Sequence, residues 1–243
     1  MQDVHKTEIW LDTLNTEALD HAHELGILQG ITTNPKIMAM ECSHPLDALN
    51  HLLETYACTV AVQVTEQEAA ACIREAQALY RYNQRILIKI PCIQSGYEAM
   101  AELKQSNIPF LATAIYHPRQ FYIANQLGAR YAAFYYFRMI DFYENYYKLI
   151  KKDAKTKVIE DLKKIMLIAK NSQTKLMAAN LKSVEDIEFI LDHRMDSITI
   201  PRDPYLHFFK DFEVAKEATE SFLNLWQKTF STKTWDQFMQ VEV

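Results

Sequence analysis

Glycine is scarce, with four in 243 residues, so no Gly-rich loop exists to cradle a nucleotide phosphate. The turn after the first apolar run, Leu11-Asp12-Thr13-Leu14-Asn15, holds none of them. No stretch approaches the roughly 18 apolar residues that a membrane-spanning helix needs. Positive charge is not in excess: the formal net charge is -5, and no basic stripe is interleaved with exposed aromatics. Nucleic acid and anionic membrane surfaces are thereby excluded as partners. Cys42, Cys58, Cys72 and Cys92 have neither CxxC nor zinc-type spacing, and no charged start followed by an apolar run opens the chain. The thiols therefore read as reduced, in a cytoplasmic protein. His21 and His23 are two apart, on different faces of a helix, which argues against a shared metal. No metal or other cofactor is expected. The Lys-rich stretch from Lys148 to Lys164 also holds Asp153, Glu160 and Asp161, and reads as a solvated helix face.

What is present is an alternation that runs almost end to end. Eight short runs rich in Val, Ile and Tyr read as strands: Ile9–Thr13, Leu28–Thr32, Val60–Thr65, Ile86–Pro91, Phe110–Tyr116, Tyr131–Arg138, Lys175–Asn180 and Ser197–Pro201. Between them lie segments such as Glu66–Tyr82, Tyr97–Gln105, Pro118–Gly128, Lys155–Lys170 and Val184–His193, whose apolar residues recur at helical spacing. Repeated βα units predict an α/β fold with a parallel sheet, and eight of them point to a closed (β/α)8 TIM barrel. A doubly wound open sheet is the alternative, but it should carry a Gly-rich phosphate turn after its first strand. No linker or composition break divides the chain, so residues 1–243 read as a single barrel domain. An additional C-terminal helix and tail occupy about 212–243.

Lys89 is the residue that demands an explanation. Strand side chains alternate faces, so Ile86, Ile88 and Ile90 point one way and Leu87, Lys89 and Pro91 the other. An ammonium held in an apolar interior is costly; the usual relief is loss of the proton, which leaves a nucleophilic amine suited to Schiff-base chemistry. A strand-end lysine that snorkels to water is the alternative. The same alternation turns Ala61, Gln63 and Thr65 inward and puts Asp12 on the face of Trp10. Thr113 falls between Leu111 and Ile115, and Asn180 ends the face begun by Leu176 and Ala178. These positions converge on the C-terminal mouth, where barrels place their chemistry. Each has a local alternative: Asp12 as a helix cap, though Asn15 and Thr16 serve better, Asn34 before Pro35 as a turn, and Gln63 as a backbone partner. Together an acid, an amine, an amide and a hydroxyl suit proton transfer around an imine.

The motifs Leu11-Asp12-Thr13, Gly30-Ile31-Thr32-Thr33-Asn34-Pro35, Gln63, Ile88-Lys89-Ile90-Pro91 with Gly96, Thr113-Ala114-Ile115-Tyr116, Tyr135 with Arg138, Ala178-Ala179-Asn180 with Lys182, and Ile198-Thr199-Ile200-Pro201 follow one another in order. In that order the chain resembles the transaldolase and fructose-6-phosphate aldolase family of class I aldolases, from about Ile9 to about Phe230. The resemblance implies a Schiff base between Lys89 and the ketone of a dihydroxyacetone unit. It also implies that Asp12 orients hydroxyls and assists proton transfer, with Asn34 nearby, and that Gln63, Thr113 and Tyr135 hold a catalytic water. The transaldolase branch usually has glutamate and phenylalanine at the positions of Gln63 and Tyr135, so these residues favour the aldolase branch. Relatives assemble into rings, which implies a homo-oligomer, a pentamer or decamer.

The phosphate end departs from the resemblance. Relatives place serine where Asn180 stands, a small residue at Phe137, and a Gly-containing acidic loop after Arg138. Here the chain reads Met139-Ile140-Asp141-Phe142-Tyr143-Glu144-Asn145-Tyr146-Tyr147. Arg138 and Lys182 remain suited to a phosphate dianion, although a regular sixth strand would turn Arg138 away from Tyr135 unless a bulge or the strand's end re-aims it. The expected partner is a sugar or sugar phosphate. Transaldolase is the second reading, and a catalytically idle sugar-phosphate-binding barrel the third.

Overall fold

A computed structural model describes residues 6–231 and 234–239. The chain forms two compact units, residues 1–208 and 209–243. In the first, eight parallel strands close into a barrel in chain order. Its elements are β1 (Glu8–Leu11), α1 (Thr16–Glu24), β2 (Leu28–Thr32), α2 (Pro35–Glu41), α3 (Pro45–Thr55), β3 (Thr59–Gln63), α4 (Ala69–Tyr82), β4 (Ile86–Pro91), α5 (Gln94–Gln105) and β5 (Phe110–Ile115). There follow α6 (Pro118–Gln126), β6 (Tyr131–Tyr135), α7 (Tyr136–Tyr146), α8 (Lys151–Ala169), β7 (Lys175–Ala179), α9 (Val184–Asp192), β8 (Ser197–Ile200) and α10 (Arg202–Phe208). This is the (β/α)8 barrel that the alternation predicts. In the second unit, α11 (Glu213–Phe230) buries no residue, and α12 (Trp235–Met239) sets Trp235 and Phe238 against Trp226, with ring centroids 5.1 and 6.1 Å apart.

Local chemistry explains where the helices begin. The side chains of Asn15, Asn34 and Ser183 accept hydrogen bonds from the first-turn amides of α1, α2 and α9. Proline opens α2, α3 and α6, where its missing N–H costs nothing. Inside the barrel, Trp10, Ala61, Leu87, Leu111, Tyr131, Ala133, Met177 and Ala179 form a packed floor. Outside it, Ile86, Ile88 and Ile90 are fully buried under the helices. Asp161 does not lie on a solvated face: it is 2% exposed and accepts from the Tyr143 hydroxyl and from Lys157 and Lys164, which compensate its burial.

Strand alternation fails where the backbone leaves the regular pleat. The sixth strand stops at Tyr135 rather than Arg138, and the chain turns directly into α7. In β7 the inward side chains are Met177 and Ala179, so Leu176 and Ala178 face the helices, and the face they share is not what carries Asn180 to the mouth. In β5 the register shifts between Ala112 and Ile115, with Ala114 at φ +58°. Ile115 thus pairs with Phe134, off the face of Leu111. Thr65, expected to point inward, lies past the end of β3, exposed and bound to the Glu75 carboxylate.

Gly96 on α5 lies against the end of β4. A Cβ at this position would sit 2.0 Å from the Pro91 carbonyl oxygen, a clash with backbone that no rotamer relieves. Gly96→Ala is expected to destabilise the barrel by about 1–3 kcal/mol, read as a lowered Tm in thermal melts. An unchanged Tm would mean that α5 shifts freely on the strand beneath it.

Candidate active site

The mouth of the barrel is a cavity of about 1180 Å³. Lys89, 4% exposed, rises from β4 above the floor residue Leu87. The residue lines the cavity, and its Nζ donates to the Thr33 carbonyl oxygen at 3.0 Å. Gln63 lies beside it in register on β3. Asp12 follows β1 on the face of Trp10, and its Oδ1 accepts from the Thr32 hydroxyl at 2.6 Å. Thr32 in turn meets Thr199 at 2.7 Å. Lys89 and Asp12 form no ion pair within 4.0 Å, so acid and amine face one space without neutralising each other.

On β5, the strand next to β4, the buried Thr113 hydroxyl donates to the Tyr135 oxygen at 3.0 Å. Arg138 sits in the first turn of α7, and the switch from strand to helix at Tyr135 brings it back over that ring, with its guanidinium carbon 5.6 Å from the centroid. The hydrogen bond from Arg138 to the Tyr116 oxygen, against partial burial, raises the guanidinium's hold on its proton. Asn180 reaches the cavity although its strand parity points outward, because its backbone is left-handed at φ +61°, a conformation asparagine tolerates better than most residues. Its Oδ1 is the one buried side-chain polar atom without a hydrogen-bond partner among the described residues. Asn34 spends its Oδ1 on the amides of Lys36 and Ile37 at 3.0 and 3.1 Å, so only its NH2 remains to offer a ligand. Lys182 completes the set from the loop after β7, its side chain exposed.

Asp12, Asn34, Gln63, Lys89, Tyr135, Arg138, Asn180 and Lys182 therefore line one cavity, and Thr113 stands directly behind Tyr135. Several neighbours were not singled out from sequence. Thr32 holds Asp12 and meets Thr199 in turn, and both threonines lie on the face of Trp10 by register, so the alternation could have found them. Glu41 accepts from the Thr13 hydroxyl and the Leu14 amide, each at 2.7 Å, and ties α2 to the loop after β1. Lys36 and Arg202 also line the cavity, a position no periodicity marks because each sits in the first turn of a short helix, α2 and α10. Next to β4, burial pushes the Cys92 thiol up to about 12, which leaves it without a nucleophilic thiolate. Among the described residues, no group of three or more His, Cys, Asp and Glu side chains could hold a metal ion.

The family described as Transaldolase/Fructose-6-phosphate aldolase matches residues 9–242. A probable transaldolase of Nitrosopumilus maritimus (strain SCM1) is 26% identical over 221 residues, covering 91% of this chain and 95% of that protein. A probable transaldolase of Exiguobacterium sibiricum is 28% identical over 220 residues, with 90% and 97% covered. One from Coprothermobacter proteolyticus is 29% identical over 221 residues, with 91% and 97% covered.

Proposed function

The chain belongs to the transaldolase/fructose-6-phosphate aldolase family, and from that premise we propose that it is a class I aldolase acting on a ketose phosphate such as fructose 6-phosphate. The Lys89 amine adds to the ketone carbon and loses water to give an imine. With the imine protonated, Asp12 takes the proton from the hydroxyl two carbons away, on the carbon that becomes the aldehyde, as the carbon–carbon bond between them breaks; the electron pair passes into the iminium to form an enamine, and glyceraldehyde 3-phosphate leaves. A water held by Gln63, Thr113 and Tyr135 returns a proton to the enamine, and hydrolysis then frees dihydroxyacetone and Lys89. Arg138 and Lys182 hold the phosphate, and Asn34 and Asn180 hold hydroxyls. The observation that carries this reading is a buried lysine lining the same cavity as Asp12, whose carboxylate is held by the Thr32 hydroxyl and forms no ion pair with that lysine. The protein is read as cytoplasmic, and as a homo-oligomer, a pentamer or decamer, to which the wholly unburied α11 gives support.

The test is borohydride reduction with dihydroxyacetone or fructose 6-phosphate, followed by mass spectrometry. An adduct on Lys89 supports the aldolase chemistry. Failure to trap carbon on Lys89 across plausible ketoses would leave the idle sugar-binding barrel.

Transaldolase is the second reading, favoured by the names of the relatives. Fructose 6-phosphate alone, then with erythrose 4-phosphate, separates the two: cleavage without an acceptor supports the lyase, and turnover only with one supports the transferase. The Gln63 amide and Tyr135 phenol favour the lyase, because they govern how readily the water protonates the enamine. Gln63→Glu combined with Tyr135→Phe is accordingly expected to raise the ratio of transfer to cleavage by about tenfold or more. A product ratio that does not move would remove those two residues from the role.

A further inference from the structure

Tyr116 has no part in the steps above, yet it holds one of the groups they use. Its phenol oxygen accepts from Nη1 of Arg138 at 3.0 Å, and its ring meets Tyr135 edge-on, centroids 5.7 Å apart. The Arg138 guanidinium is thus bracketed by a phenol oxygen at one amine and by the face of Tyr135 beneath it. Arginine presents five N–H donors, so one bond to Tyr116 leaves the rest of the fork for an anion.

The backbone that delivers Tyr116 is built for this placement. Ala114 is left-handed at φ +58°, a conformation that a residue with a Cβ keeps only when its surroundings impose it. Gln120 imposes it. The Gln120 amide donates to the carbonyl oxygens of Cys92 and Ala114 at 3.0 and 3.1 Å, and its Oε1 accepts from the amides of Tyr116 and His117 at 2.9 and 3.1 Å. Four backbone groups at the ends of β4 and β5 are thereby pinned by one side chain. The consequence is that the chain leaves β5 toward Tyr135 and Arg138.

An unheld Arg138 has another option. Asp141 lies one helical turn away on α7, lines the same cavity and attracts the guanidinium, and the two form no ion pair within 4.0 Å. We infer that Tyr116 is a positioning residue that keeps Arg138 turned into the cavity and away from Asp141, and so sets how strongly the site grips the anionic end of its substrate. The inference rests on the proposed aldolase reading, in which Arg138 meets that end.

The discriminating variant is Tyr116→Phe, which keeps the ring against Tyr135 and removes only the oxygen. KM for fructose 6-phosphate is expected to rise roughly tenfold, with kcat retained, the fructose parameters unmoved, and dihydroxyacetone still trapped on Lys89. In an Arg138→Ala background the same substitution should add nothing. Calorimetric titration with inorganic phosphate gives a readout independent of turnover: weaker binding to Tyr116→Phe than to the unaltered protein is expected. Equal phosphate binding by the two proteins, an unmoved KM, or equal losses on fructose and fructose 6-phosphate would overturn the inference. Absence of a Lys89 adduct in the unaltered protein strikes the aldolase reading instead, and the phosphate titration still decides the role of Tyr116.

Discussion

Lys89→Ala is expected to abolish borohydride trapping and to lower turnover of fructose 6-phosphate by about 10⁴- to 10⁶-fold, the range seen when the group that forms the covalent intermediate is removed. Lys89→Arg should fail equally, because a guanidinium stays protonated and cannot add to a carbonyl. Stability should move the other way. The lysine stem occupies the barrel interior above Leu87 and its amine is satisfied by one carbonyl, that of Thr33. Lys89→Met keeps the apolar volume and removes the buried amine, so its Tm should equal or exceed that of the unaltered protein while activity is lost. This combination separates chemistry from folding. An inactive Lys89→Met protein with an intact melt would tie the loss to the nitrogen, whereas residual turnover near the original rate, or an adduct on another lysine, would move the covalent step elsewhere.

The barrel was legible because its two periodicities are distinct. Eight apolar runs separated by helical patterns allow few topologies other than a closed parallel sheet, and the absence of a Gly-rich turn removed the main competitor. The placement of Lys89, Gln63 and Asp12 followed from parity, since β3 and β4 pair regularly up to Gln63 and Lys89 and β1 keeps its register against β8 up to Leu11, just before Asp12. Within regular β7 the misread was which of its two faces turns inward; elsewhere the departures fall where parity stops applying. Asn180 and Ala114 both adopt left-handed backbone, which side-chain alternation does not encode, and each changes which face the following residues take. Arg138 reaches the cavity because β6 ends at Tyr135 and a helix begins, a boundary hidden by a run of aromatics compatible with either state. Contacts between turns, such as Glu41 with Thr13 and Leu14, depend on tertiary closure and leave no periodic trace.

Asp12→Asn is the variant expected to split the reaction. The amide keeps the size of the carboxylate and can still accept from Thr32, so the shape of the site survives. It cannot take a proton. Cleavage of fructose 6-phosphate is therefore expected to slow by about 10²- to 10³-fold in kcat. Dihydroxyacetone should still be trapped on Lys89, since forming that adduct breaks no carbon–carbon bond. Thr32→Val should produce a milder form of the same split, because it leaves the carboxylate present but removes the hydroxyl that links it to Thr199. A graded series, with Asp12→Asn slower than Thr32→Val and both retaining the adduct, would place the acid in bond cleavage and the threonine pair in holding it. If Asp12→Asn cleaved the ketose at the unaltered rate, or lost the adduct as completely as Lys89→Ala, the division of labour between acid and amine would be wrong. The proton would then have to leave through another group at the mouth of the barrel.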